Sequence, residues 1–506
     1  VNKKVQVVVI GGGATGTGVL RDLALRGIDC LLVEQNDLAT GTSGRFHGLL
    51  HSGARYVVKD LNSGKECIEE NKILKEIAPS CIEDTGGMFI AAKEDDPGYI
   101  TKWLEGCKAA GISTKEISPA DLKDQEPALT TEVKKAYLVP DAAVDGFTLA
   151  AANVLSAKKL GAQAKTYTRV TGFKIENNRV KGVFIKEKYT GQEEYVECAY
   201  VINAAGAWAG QVAEHAGQKL NISPDKGVLV IFNHRITSRV LNRLRPPGDG
   251  DIFVPHGSVT VFGTTSRSTN SPDDTEATRQ EVLDLLEQGS QLIPDLREMR
   301  LIRAFAGVRP LYQPDGTAAG RGATRDFTLI NHEELTGLEG LISLVGGKLT
   351  TYRLMAKAAV DHVANKLDVD KPCITHREQI YAPIVRQESS HENRLCQCEM
   401  VTKEMLDKAV ADKEKFTLSD VRRLTRLGMG PCQGTFCTFR AAGYYHESRG
   451  IDVTEANKLL KDHIQERWKG SRPVLWGGQA QEAELTRGIY LGLLNLERLD
   501  SDENDL

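Results

Sequence analysis

No apolar run in this 506-residue chain approaches the about eighteen residues that a membrane-spanning helix requires. Charge of one sign is also scarce. Sixty-four Lys and Arg against sixty-eight Asp and Glu leave a formal net charge of −4, so no basic field argues for a nucleic-acid partner. There is no internal repeat. The opening "VNKKVQVVVI" lacks a cleavable signal architecture, because its apolar run passes directly into a glycine turn. These absences point to a cytoplasmic address, with docking onto a membrane partner left open. Val1 stands where Met would, which implies a trimmed or re-coded start. The length suits a chain of several domains with a sizeable core.

Cysteine is sparse and unevenly spent. Cys30, Cys67, Cys81, Cys107, Cys198 and Cys373 are scattered singly, as buried or incidental thiols usually are. Cys396, Cys398, Cys432 and Cys437 instead form two close pairs. In a reducing compartment such pairs favour metal or redox chemistry over structural disulfides.

The other end of the chain reads as a nucleotide fold. "VQVVVI" is a buried strand, "GVLRDLALRG" an amphipathic helix, and "IDCLLVE" a second parallel strand, completing a βαβ unit. Between strand and helix, Gly11, Gly13 and Gly16 make G-x-G-x-x-G. The first allows the tight turn, the second lets backbone approach a pyrophosphate, and the third allows close helix–strand packing. Glu34, at the end of the second strand, is placed to accept from a ribose hydroxyl. The pattern alone leaves FAD and NAD both open. "AYVINAAGAWA" and "LISLVGGKLTTYRLMAKAAV" read as returns to this domain. The alternating stretches "VKGVFIKEKYTGQEEYVECAYVI" and "DIFVPHGSVTVFGTTSR" suggest an antiparallel substrate domain threaded through it. "APIVRQESSHENR" is polar and aperiodic, as a linker is, and "TEANKLLKDHIQERWKG" reads as a charged helix leading to a frayed acidic end.

Several residues have plain alternatives. His47 and His51 at i, i+4 could share a helix face as a metal pair, but the spacer lacks a protease glutamate and no third ligand is evident. His47 could instead simply pack. Arg55 and Arg309, taken singly, are ordinary surface arginines. Four thiolates suit an iron–sulfur cluster or a tetrahedral zinc. The single-residue gap in Cys396-x-Cys398 favours iron, because structural zinc more often uses gaps of about two to four residues. Zinc, or unligated or disulfide thiols, remain as alternatives.

"DLATGTSGRFHGLLHSGARYV", "AGVRPLY" and "VGGKLTTYR" together resemble the FAD-dependent glycerol-3-phosphate dehydrogenases, within the D-amino-acid-oxidase-like flavoproteins. "HGLLHSGARY" and the cysteine pairs resemble the A subunits of the anaerobic branch of that family. The cysteine region also resembles the bacterioferritin-associated-ferredoxin-like domain, which carries [2Fe–2S], although the gap from Cys432 to Cys437 is longer than usual there. The distinctive stretches are residues 5–60, 303–312, 345–353 and 396–440.

The resemblance implies an α/β and α+β fold: a Rossmann-like FAD domain with an interleaved antiparallel-sheet substrate domain and a small helical four-cysteine module. The implied divisions are an oxidoreductase body 1–370 (FAD domain about 1–80, 145–215 and 320–370), a linker 371–394, a [2Fe–2S] module 395–450 and a helical tail 451–506. FAD would lie on Gly11, Gly13 and Gly16, with Glu34 on its ribose and Thr42, Ser43 and Arg45 beside it. Gly346, Gly347, Lys348, Leu349 and Thr350 would form a second turn whose helix amides stabilise charge on the reduced ring. Arg55 and Arg309 match the family's phosphate-binding arginines, and a guanidinium forks onto phosphate better than an ammonium. His51 would be the base, Lys348 would polarise the alkoxide or flavin, and Tyr56 would line the pocket. The implied reaction converts glycerol 3-phosphate to dihydroxyacetone phosphate. Electrons would pass through Cys396, Cys398, Cys432 and Cys437 to partner subunits and quinone at the inner face of the membrane, in anaerobic respiration. The rival readings are a dehydrogenase of another 2-hydroxy acid or amine, and a zinc-stabilised non-catalytic subunit.

Overall fold

The computed structural model describes residues 3–312, 326–384, 393–413 and 415–493. The acidic end and part of the expected linker lie outside the described residues.

Val7–Ile10, an uninterrupted β-branched run, is buried on both faces, as a central parallel strand must be. It pairs in parallel with Cys30–Val33 on one side and Tyr200–Asn203 on the other. Gln163–Lys165 and Leu341–Gly346 extend the parallel order, and Phe327–Asn331 closes the edge antiparallel. Helices Ala14–Leu25, Gly146–Lys158 and Tyr352–Lys366 pack together on one face, where Val19, Leu20, Leu23, Val360 and Val363 form the core.

The other face is covered by a meander of Thr168–Glu176, Arg179–Glu187 and Glu193–Glu197, joined by Lys3–Lys4. This corrects one expectation: "VKGVFIKEKYTGQEEYVECAYVI" belongs to the nucleotide side. Val180, Val183, Ile185 and Val196 turn inward onto Val8, Ile10 and Leu31, so the strand alternation marks a sheet packed on a sheet.

A second, mostly antiparallel sheet holds nine strands among the described residues. Its longest pair, Ile222–Phe232 with Leu301–Tyr312, runs in register along nearly its full length and sets Asp225 opposite Arg309. "DIFVPHGSVTVFGTTSR" supplies the hairpin Ile252–His256 and Val259–Gly263, as expected.

The segment between body and module is laid onto the body wherever it is described. Buried Arg21 donates to the carbonyls of Thr375 and Glu378, and the Ile380 amide donates to the Ile77 carbonyl. The cysteine module has its own core of Leu395, Val401, Leu406, Val421, Ala441 and Tyr445. Its helices Lys403–Val410, Leu418–Thr425 and Cys437–Arg449 precede the long helix Val453–Ser471, which lies across strand Leu301–Tyr312. Thr402 and Thr417 cap the first two by accepting amides of Met405 and Asp420. No helix among the described residues is long and apolar enough to cross a membrane.

Candidate active site and thiol centre

One cavity of about 1450 Å³ runs from the first glycine turn to the second and reaches Arg55, Tyr56 and Arg309. At its first end, helix Ala14–Leu25 points its N-terminus into the space, and the Ala14 amide donates to Ser43 Oγ at 2.9 Å. Gly16 is required by close approach: a Cβ there would stand 1.9 Å from the Gly11 carbonyl oxygen. Glu34 accepts the amides of Gly12 at 2.7 Å and Asn36 at 2.8 Å, fixing its carboxylate on the cavity wall. Burial pushes the Glu34 carboxyl up despite those amides. Thr42 donates to the Val308 carbonyl at 2.6 Å, and Arg45 Nε to the Thr40 carbonyl at 3.0 Å. Gly346 and Gly347 take consecutive left-handed conformations at φ 76 and 77, turning the chain into the short helix Leu349–Thr351. Thr350 Oγ1 there accepts the His51 amide at 3.1 Å. The cavity thus joins both glycine turns, Glu34, Thr42, Ser43 and Arg45, as a FAD cradle must.

"HGLLHSGARY" is not a helix. Leu49–Leu50 is a short strand paired with Ala142–Val144, so His47 and His51 do not share a helix face. Gly48 adopts φ 82, and a Cβ there would stand 1.8 Å from His256 Nε2, so no other residue fits the turn. The turn brings His47, His51 and Tyr56 together: the two imidazoles lie 5.7 Å apart edge to face, and His51 and Tyr56 5.2 Å apart. His51 Nε2 is 3.4 Å from the Tyr56 hydroxyl. His47 Nδ1 accepts the Leu49 amide at 3.1 Å.

Two guanidinium groups reach this cluster, each anchored by a buried aspartate. Arg309 Nη1 lies 2.5 Å from Asp225 Oδ2, and its Nη2 donates to Thr264 Oγ1 at 2.9 Å and to the Thr265 carbonyl at 3.0 Å. Arg55 Nη2 lies 2.8 Å from Asp251 Oδ2, while its Nη1 is buried without a hydrogen-bond partner among the described residues. Burial opposes ionisation of Asp251, but Arg55 and Arg245 outweigh it and hold its carboxyl below the usual range. Burial, then Arg55 and Arg309, push His47 down to about 3. Burial, then His47, Arg55 and Lys348, push His51 well below its usual 6.5. Both imidazoles are therefore neutral proton acceptors at neutral pH. Lys348 Nζ donates to Ser63 Oγ at 3.0 Å and stands 5.3 Å over the Tyr56 ring.

Asp225, Asp251 and Ser63 were not singled out from the sequence. Each carries its role only through a partner far along the chain. For Asp225 the usable signal is strand register, which places it opposite Arg309.

The four cysteines of the module are all free thiols and fall into two facing pairs, Cys396 with Cys437 and Cys398 with Cys432. Cys437 facing it, with the amides of Glu399 and Gly428, brings the Cys396 thiol down to about 6. Burial, then Cys432 and Cys396, raise Cys398 to about 11. Among the described residues no three Cys, His, Asp or Glu side chains converge to hold a single metal ion. The set is two pairs with backbone amides aimed at sulfur. Four thiols with amides aimed at sulfur are the donor set that an iron–sulfur group would use.

A family model described as FAD dependent oxidoreductase matches residues 6–353, which defines the class. The whole chain carries the likeness further. It is 41% identical to the A subunit of the anaerobic glycerol-3-phosphate dehydrogenase of Escherichia coli (strain K12), with 98% of each chain covered. It is 40% identical to the A1 subunit of the enzyme of the same name from Haloferax volcanii, covering 97% of this chain and 91% of that one. The chain belongs to this family of FAD-dependent glycerol-3-phosphate dehydrogenase A subunits. Solved structures share the fold. The glycerol-3-phosphate dehydrogenase from Bacillus halodurans complexed with FAD superposes with a TM-score of 0.59 at 23% identity, covering 98% of this chain and 88% of that one. The FAD-bound L-alpha-glycerophosphate oxidase of Mycoplasma pneumoniae gives 0.60 at 18% identity, covering 72% and 95%.

Proposed function

We propose that this protein oxidises sn-glycerol 3-phosphate to dihydroxyacetone phosphate and hands the electrons to partner subunits through a [2Fe–2S] centre. The observation that carries the reading is the continuity of the FAD cradle with two aspartate-anchored arginines beside a neutral imidazole. The relatives are named for glycerol 3-phosphate, and the site has the charge to take it.

Arg309 and Arg55 receive the phosphate. Their aspartates fix the guanidinium planes in advance, so little side-chain entropy is lost on binding. The buried, unpartnered Arg55 Nη1 is a donor that a phosphate oxygen satisfies, and leaving such a group unmet costs about 1–3 kcal/mol. His51 takes the hydroxyl proton. Burial is the main cause that keeps His51 neutral, and a phosphate dianion on Arg55 offsets only the smaller part that Arg55 contributes. Tyr56 orients His51, and Lys348 holds the Tyr56 ring from behind. Lys348 keeps donors beyond its bond to Ser63 with which to polarise the alkoxide or flavin. Glu34, Ser43 with the first helix, and Thr350 with the second turn are the residues that would hold FAD, at its ribose, pyrophosphate and flavin ends respectively. When bound, FAD supplies the two-electron hydride acceptor.

Cys396, Cys398, Cys432 and Cys437 would hold the [2Fe–2S] centre. The centre supplies a one-electron outlet, which a flavoprotein reacting directly with oxygen would not need. Partner subunits then carry electrons to membrane quinone, with this chain peripheral at the inner face of the membrane. The relatives' designation as A subunits supports such an assembly.

Anaerobic titration tests the first half: the yellow holoprotein should bleach with glycerol 3-phosphate and not with unphosphorylated glycerol. Equal bleaching by glycerol removes the role of the two arginines. Metal analysis tests the second half. Iron with acid-labile sulfide supports the cluster, and zinc without either removes it.

A further inference from the structure

The module's helices touch the cavity wall through Asp37 with Lys413 and Arg423, and its thiol loop touches the large sheet at one turn, residues 256–258. On the cavity side, His256 Nε2 lies 3.1 Å from the carbonyl oxygen of His47. On the module side, Arg426 Nη2 donates to the His256 carbonyl at 3.4 Å, and Arg426 Nε pairs with Glu399 Oε2 at 2.7 Å. Ser258 Oγ donates to the other Glu399 oxygen at 2.8 Å. Glu399 is buried, follows Cys398 directly, and aims its backbone amide at the sulfur of Cys396. The packing here is tight. A Cβ on Gly430 would stand 2.5 Å from Cys398 Cβ and 3.5 Å from Ser258 Oγ.

A continuous run of contacts therefore leads from the active-site peptide of His47 through His256, Arg426 and Glu399 to Cys396. A buried ion pair of this kind adds little net stability, because desolvation offsets its attraction. Its geometric demand is what it contributes. The planar guanidinium joins Glu399 and the His256 carbonyl in one orientation, so the thiol loop sits at one distance from the flavin site.

We infer that the Glu399–Arg426 pair, seated on the turn His256 to Ser258, is a positioning clamp that holds the thiol loop against the peptide of His47, and that the rate at which electrons cross between the two sites depends on it. The inference rests on the [2Fe–2S] reading above. Each crossing moves one electron from reduced flavin to the oxidised cluster. Two crossings, with the cluster discharged between them to an external one-electron acceptor such as ferricyanide, return the flavin to its oxidised form and release its protons to solvent.

The test compares Glu399→Gln, Arg426→Gln, Arg426→Lys and Ser258→Ala with the parent holoprotein under anaerobic conditions. Stopped-flow absorbance follows flavin bleaching by glycerol 3-phosphate, and freeze-quenched electron paramagnetic resonance follows the cluster. Iron and sulfide are counted for each protein, and hydrogen exchange is measured over residues 256–260. Flavin bleaching should be unchanged, since none of these side chains is placed on substrate or FAD. The cluster signal should rise on the order of tenfold or more slowly in Glu399→Gln and Arg426→Gln, the scale on which ångström-sized misplacement acts. Hydrogen exchange at 256–260 should quicken, and Arg426→Lys should recover part of the rate. A cluster signal as fast as the parent's, with iron and sulfide intact, overturns the inference. If Glu399→Gln sheds its cluster, Ser258→Ala decides by the same criterion, because it leaves Glu399 and every thiol in place. A parent protein without iron and sulfide instead fells the cluster reading, and the inference with it.

Discussion

The substrate cavity and the thiol module are built by opposite means. The cavity is assembled over long sequence distances: Arg55 depends on Asp251, Arg309 on Asp225, His51 on Thr350 and Lys348 on Ser63. The module draws its thiols from two short loops, with neighbouring amides aimed at sulfur. Recognising a phosphate and timing a proton transfer require fixed charges at defined positions, which rigid strands deliver. Gathering four thiols requires only that two tight loops be set face to face. The same difference decides what each region loses when one residue changes.

Removing a thiol should give the largest effect and should leave the cavity alone. In Cys396→Ser, iron and acid-labile sulfide should fall from about two of each per chain to well below one, with flavin content and bleaching preserved. Parallel loss of flavin would show that the two regions are not separately built. Arg309→Ala is the converse. Losing two charge-assisted contacts at about 1.5–3 kcal/mol each should lower kcat/KM for glycerol 3-phosphate by about 10²–10⁴-fold, with iron content unchanged. A loss below tenfold would take phosphate recognition away from Arg309.

The contrast also predicts where acid strikes the nucleotide half. Buried His332, within hydrogen-bond reach of Ser343 and Gln218, is pushed down to about 4 by burial. The unfolded chain therefore takes up a proton that the folded chain refuses. The stability present above the unfolded value of 6.5 is lost as pH falls from there towards 4. Denaturant unfolding should show this site costing about 2 kcal/mol between pH 7 and pH 5, and His332→Asn should flatten that part of the slope. An unchanged slope in the variant would assign the acid sensitivity elsewhere. Smallest is Glu34→Gln. Weakening its grip on the Gly12 and Asn36 amides should cost about 1 kcal/mol of FAD affinity, read by flavin release on dilution. No change in retention would mean that Glu34 only shapes the turn.

Sequence reading reached the parts whose signal is local. The glycines at 11 and 13 lie between a strand and a helix, Gly16 lies in that helix's first turn, and Glu34 follows the second strand. The spacing marks the two cysteine loops, but not that they face each other as Cys396 with Cys437 and Cys398 with Cys432. Long-range information was not legible. Asp225 and Asp251 look like any acidic residue until strand pairing sets them under a guanidinium. The meander of residues 168–197 alternates like a substrate-domain sheet, and only its packing onto Val8 and Ile10 assigns its side. "HGLLHSGARY" carries helix-like histidine spacing, yet the left-handed Gly48 and the pairing of Leu49–Leu50 override it.

The most direct test of the account is a single anaerobic addition of glycerol 3-phosphate to intact holoprotein, with visible and paramagnetic resonance spectra taken on the same sample. The account predicts that the yellow band fades first and that a paramagnetic iron–sulfur signal then grows at its expense. A preparation holding both flavin and iron–sulfur whose spectra remain unchanged after the addition would contradict it.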